Sequence, residues 1–139
     1  MIVLDTGALY AALVETEVHH EACRDALLAE PAPLLLSPFV LCELDYLTAT
    51  RLGVDVELDV LDEVARGAYQ LEPFGDADIA DARRIVAQYR DLGIGLADAS
   101  LVVLAARYGV DRILTLDERH FRSLRTREGG AFTLVPADA

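Results

Sequence analysis

The first fifteen residues, MIVLDTGALYAALVE (Met1–Glu15), contain the stretch whose reading decides the fold. Ile2, Val3 and Leu4 read as a short strand headed for a core, and Asp5 stops it. From about Ala8 the apolar residues Ala8, Leu9, Ala12 and Leu13 fall at helical spacing. A carboxylate at the mouth of a buried strand is either a helix cap or a piece of an active site.

Working outward, the same alternation recurs. A helix is expected over Val18–Ala29, ended by Pro31 and Pro33, and Leu34–Leu36 form a second strand. Ser37-Pro38 then open a third helix, with Ser as N-cap and Pro at its first position, and Gly53 closes it. Asp55–Arg66 reads as a fourth helix, Ala68–Leu71 as a brief strand, and Asp76–Tyr89 as a helix capped by Asp76. Beyond Gly93 and Gly95 comes a helix from about Ala97 to Tyr108, apolar almost all round and therefore central. Arg112–Leu116 is a strand, Glu118–Leu124 a short helix and Phe132–Val135 a last strand. Helices alternating with short apolar strands predict a parallel α/β sheet covered on both faces, with ligands bound outside the carboxyl ends of the strands. Asp5 and Asp117 both stand there.

Composition narrows the function classes. At 139 residues the chain reads as one domain, residues 1–139, and 53% hydrophobic residues exclude a disordered acidic tail despite the net charge of -12. The longest stretch without a charge, Pro31–Cys42, is twelve residues broken by three prolines, too short for a membrane span. With no targeting segment visible, the chain reads as soluble and cytoplasmic. Cys23 and Cys42 are the only cysteines and read as small core residues in a reducing compartment. A zinc site recruiting His19, His20 and Cys23 would lack a complementary ligand pair. All twelve basic residues are arginine, which excludes any scheme built on a catalytic lysine. Charge is also uneven: residues 1–50 carry a net of -7 and residues 107–127 a net of +3. An acidic protein is not drawn to nucleic acid by its overall field, so a local arginine cluster or bound cations must do that work.

Four carboxylates carry the chemistry. Asp5, Asp98 and Asp117 each read equally as caps or first-turn residues favoured by the helix dipole. Glu43 is expected to share the buried stripe of its helix, SPFVLCELDYL, beside Phe39, Val40, Tyr46 and Leu47. Taken together, four clustered acids repel one another; two charges about 6 Å apart at an effective dielectric near 20 cost roughly 3 kcal/mol. No lysine or histidine lies beside them in sequence to compensate, so a hard divalent cation is the economical partner. Asp45, next to Glu43 but turned away, is left off the site.

At these residues the chain resembles PIN-domain ribonucleases, specifically VapC-type toxins of bacterial toxin–antitoxin pairs. The matching pieces are VLDTGAL with Asp5, SPFVLCEL with Glu43, LADASLVVLA with Asp98 and ILTLDERHF with Asp117, in the family's order from Ile2 to Phe121. The resemblance implies a three-layer α/β/α fold with a short central parallel sheet. It also implies a magnesium-dependent endoribonuclease, with manganese able to substitute, whose metal is held by those four acids. A homodimer and a small antitoxin covering the site are further implied. Thr6 and Thr115 are supporting candidates that orient a carboxylate or water, or simply bond to backbone. His120, in DERHF, reads as a packing or backbone-bonding residue rather than a general acid or base. Arg119, Arg122, Arg125 and Arg127 would hold the RNA backbone. A receiver domain would need a lysine, and a haloacid-dehalogenase phosphatase would need an Asp where Gly7 stands. The remaining alternative is a catalytically inactive PIN-like RNA- or protein-binding module, which should have lost one of the four acids.

Overall fold

Strand β1 (Ile2–Leu4) runs through the middle of the molecule, pairing in parallel with β2 (Leu34–Leu36) on one side and β4 (Arg112–Leu114) on the other. In this computed structural model, which describes residues 1–139, β3 (Gln70–Leu71) extends the sheet beyond β2 and β5 (Thr133–Val135) extends it beyond β4. The order is β3-β2-β1-β4-β5, all parallel. All three residues of β1 are fully buried. That accounts for the uninterrupted apolar run: a strand covered on both faces has no polar side to show. Each such side chain contributes about 1.5–3 kcal/mol of burial.

Seven α-helices connect the strands: α1 (Thr6–Leu13), α2 (His20–Ala29), α3 (Pro38–Leu52), α4 (Val54–Ala65), α5 (Asp76–Gln88), α6 (Leu96–Tyr108) and α7 (Glu118–Phe121). The chain steps from β1 outward to β3 in one direction, then returns to β4 and β5 in the other. With right-handed crossovers, this reversal puts helices on both faces. It also makes the space between the ends of β1 and β4 the switch point of the sheet, where α/β folds bind ligands. α6 is the central helix: Ala99 through Ala105 are all buried.

The expected architecture is the observed one, with shifts at element ends. α1 begins at Thr6 rather than Ala8, because Asp5 caps it and accepts from Thr6 N at 2.8 Å. α2 begins at His20, not Val18, which is 91% exposed. Gly75 rather than Asp76 is the N-cap of α5, with its N–H donated to Asp78 Oδ2 at 2.9 Å. β4 ends at Leu114 and α7 at Phe121, both earlier than their apolar patterns suggested. Gly53 does end α3, at φ 96°, a conformation that side-chain-bearing residues avoid. No helix is long and apolar enough to cross a membrane.

Candidate active site

The switch point is built from the ends of β1 and β4. Asp5 leaves β1 almost fully buried, its N–H donated to Leu114 O at 2.9 Å across the sheet. Its Oδ1 accepts from Thr6 N, and its Oδ2 accepts from Thr115 Oγ1 at 2.6 Å. Thr115, just past β4 and 1% exposed, also accepts from Asp117 N at 2.9 Å. One buried hydroxyl therefore fixes the positions of two acids from two strands. Asp117 caps α7, accepting from His120 N at 3.1 Å.

α3 and α6 bring the other two acids. Thr6 Oγ1 donates to Glu43 Oε1 at 2.6 Å, so the residue after Asp5 orients the acid of α3. The N-terminal turns of α3 and α6 are joined by a fully buried hydroxyl pair, Ser37 Oγ and Ser100 Oγ at 2.7 Å. Ser100 Oγ also donates to Ala97 O at 2.6 Å, so the Ser37 hydroxyl is the donor within the pair. This holds the helix bearing Glu43 against the helix bearing Asp98. Asp98 feels the negative charges of Asp5, Asp117 and Glu43, and of these acids Asp117 alone has a ligand atom grouped with those of Asp98 and His120.

Electrostatics reflect that crowding. Burial, reinforced by the neighbouring carboxylates and partly offset by His120, pushes Asp98 up to about 6. Burial also pushes Asp5 above the ordinary carboxylate range, against the opposing hydrogen bonds of Thr115 and Thr6. None of the arginines pairs with any of the four acids. His120 is their only basic neighbour: its Nδ1 lies 2.8 Å from Asp117 Oδ2 and 3.5 Å from Asp98 Oδ2.

The structure corrects the expectations for Glu43, His120 and Cys42 and shows where the arginines sit. Glu43 is exposed; the buried stripe of α3 is Val40, Leu44 and Thr48, and Glu43 turns instead toward the cleft and Thr6. His120 is no mere packing residue. Sequence adjacency missed it, although one turn of α7 suffices to carry it back over its cap, Asp117. Cys23 is buried as expected, but Cys42 is exposed and lines the cleft beside Glu43. Arg122 is held by both oxygens of Asp138, at 2.6 and 2.7 Å, and by Glu118 at 2.8 Å, so it fastens the C-terminal segment. Arg125 donates to the carbonyls of Arg122 and Leu124, and Arg127 approaches Asp81 at 3.7 Å. Asp45 faces Glu57 of α4, away from the site.

The donor set fits a divalent cation. Ligand atoms of Asp98, Asp117 and His120 lie within 4.8 Å of one another. His120 Nδ1 is buried and, despite its closeness to Asp117, makes no aligned hydrogen bond. Oxygen-rich sites of this kind suit magnesium or manganese.

Comparison with known proteins agrees with the geometry. The PIN-domain family model matches residues 2–126. Ribonuclease VapC26 of Mycobacterium tuberculosis is 50% identical over 135 residues, covering 97% of this chain and 100% of its own. Among solved structures, M. tuberculosis VapC20, a Sarcin-Ricin loop cleaving toxin, superposes with a TM-score of 0.78 at 16% identity, over 84% of this chain and 90% of its own. The VapBC2 complex of Rickettsia felis, bound to a DNA fragment from its promoter, gives 0.69 at 18% identity, over 96% of this chain and 98% of the other. At such identities the structures speak for the fold, while the full-length 50% match speaks for the family. The chain belongs to the PIN-domain family, among the VapC ribonucleases.

Proposed function

We propose that this protein is a metal-dependent endoribonuclease acting as the toxin of a toxin–antitoxin pair, with Asp5, Glu43, Asp98 and Asp117 as its metal-binding and catalytic acids. The observation that supports the reading is that Asp98 feels Asp5, Glu43 and Asp117 across the sheet's switch point and that no arginine pairs with any of them. Magnesium, with manganese as substitute, is the ion that the carboxylate donors favour. Such a cation, when bound, lowers the pKa of water and stabilises charge on a scissile phosphodiester.

The chain's own residues divide the remaining work. Asp5 and Asp117 are preset by Thr115, so they need no reorganisation when a substrate arrives. Glu43 is exposed and held at a single oxygen by Thr6, which leaves its other oxygen free toward the cleft. His120 Nδ1, between Asp98 and Asp117, is placed to join those two carboxylates at the cation. Neither cysteine is needed as a nucleophile. Arg119 is the remaining cationic candidate on α7 for the RNA backbone, Arg122 being committed to Asp138 and Glu118.

The partners follow from relatives. A structural neighbour from Klebsiella pneumoniae is a toxin–antitoxin complex, and by analogy a small antitoxin protein would cover this cleft and a homodimer would present it. Antitoxin-free protein should cut RNA only with magnesium or manganese present, lose cutting in chelator, and treat DNA as a poor substrate. Tight RNA binding without cleavage, across many RNAs and both metals, would reject the enzyme in favour of a binding module.

A further inference from the structure

A second cavity, of about 450 Å³, opens between α5, α6 and the loop that follows α7, and shares no residue with the carboxylate cluster. Its floor is apolar, formed by Ile85, Val102 and Val103 with the ring of Tyr89. Its rim carries Arg84, Arg125 and Arg127 against one acid, Asp81. Three guanidinium groups around one cavity are out of proportion in a chain of net charge -12.

The rim is organised. Asp81 pairs with Arg84 and lies 3.7 Å from Arg127, so one carboxylate holds two cations at the same edge. Arg125 is anchored through Nη1 by the carbonyls of Arg122 and Leu124, which leaves Nε and Nη2 without a protein partner. Two positive charges remain in excess over an apolar, partly aromatic floor. That combination suits a ligand with a phosphate at one end and a flat, weakly polar ring at the other. The volume is of the size that small-ligand pockets have.

Position identifies the occupant. Val102 is one turn beyond Asp98 on α6, about 6 Å along the axis and on the same side of the helix. Arg125 and Arg127 lie on the segment that leaves α7, which Asp117 caps. Resting on the ribonuclease reading, we infer that this cavity is a nucleotide subsite: it takes one phosphate and its base from the RNA strand beside the scissile bond. Asp81 tempers its charge.

The test uses Glu43→Gln protein, which should bind without cutting, with magnesium and a fluorescent single-stranded RNA 20-mer. Arg84→Gln/Arg127→Gln should weaken binding about tenfold and reduce the slope of log affinity against log salt by about 1. Arg84 and Arg127 are 69% and 63% exposed, so the double variant should fold, and its melting temperature verifies this. Asp81→Asn frees both guanidinium groups and should tighten binding several-fold. A purely structural ion-pair cluster would instead lower the melting temperature in both variants and leave RNA affinity unchanged, which overturns the subsite. Adenosine monophosphate should compete at least tenfold better than inorganic phosphate if the floor holds a base. Loss of adenosine monophosphate binding in the double variant, with RNA affinity unchanged, would assign the cavity to the free nucleotide and overturn the RNA subsite. Loss of antitoxin binding alone would give the cavity to a protein partner and reject the inference. The two readings fail separately: absence of cleavage in the parent protein rejects the nuclease, whereas unchanged binding in a protein that cuts RNA rejects only the subsite.

Discussion

Thr115 Oγ1 donates to Asp5 Oδ2 at 2.6 Å across 110 residues of sequence, and the same oxygen accepts from Asp117 N. Thr115→Val keeps the shape but leaves a buried carboxylate oxygen and a backbone N–H without partners. The expected loss is about 2–3 kcal/mol in urea unfolding. Thr115→Ser should recover most of both stability and activity. Equal losses for Val and Ser would mean that packing, not the hydroxyl, matters here.

Asp5→Asn removes charge while retaining an oxygen able to cap α1. The metal-free variant should unfold within about 1 kcal/mol of the parent, since relief of repulsion offsets a less favourable contact with Thr115. Cleavage should fall by at least two orders of magnitude. Glu43→Gln should behave alike, and there capping is not at issue. Full activity in well-folded Asp5→Asn protein would reject the proposed metal site.

Metal should stabilise the fold specifically. Magnesium or manganese at a hundredfold excess over Kd should add about 2.7 kcal/mol. Sodium chloride at matched ionic strength should not. An equal rise in melting temperature with both salts would reduce the effect to screening.

The raised Asp98 sets the pH dependence. Its folded value of about 6 exceeds the ordinary 3.8, so between these limits the folded protein binds more protons than the unfolded one. Its contribution to stability is therefore greatest at low pH and is lost as pH rises through about 6. Metal-free protein should melt about 2–3 °C higher at pH 5.5 than at pH 7.5. Magnesium competes with those protons, so it should flatten or reverse the trend, and cleavage should decline below about pH 6. A metal-free melting temperature that falls steadily from pH 7.5 to 5.5 would contradict the crowding of acids.

Cys42 is exposed beside Glu43, whereas Cys23 is buried. Alkylation of native protein should modify Cys42 alone and block cleavage by filling the cleft. Cys42→Ser should cut RNA normally and resist the reagent. Inactivity of the folded serine variant would point to thiol chemistry.

The sequence by itself determined the alternation of strands and helices and the parallel sheet, and it singled out the four acids as candidates. Those features rest on local signals: an unbroken apolar run in β1, Ser-Pro opening α3, glycine ending it, and carboxylates at the mouths of strands. Tertiary structure alone decided which faces meet. A helical period shows that α3 has an apolar side, but Phe39, Tyr46 and Leu47 blurred that side until packing put Val40, Leu44 and Thr48 inward and Glu43 and Cys42 into the cleft. The bonds from Thr6 to Glu43, from Ser37 to Ser100 and from Thr115 to Asp5 join residues 37, 63 and 110 positions apart. No local pattern encodes them. They exist because the reversal of strand order brings the ends of β1 and β4 together beside the N-terminal halves of α3 and α6. His120 entered the acidic cluster for the same kind of reason: a single turn of helix folds it back over its own cap, into a field made by residues from three other elements.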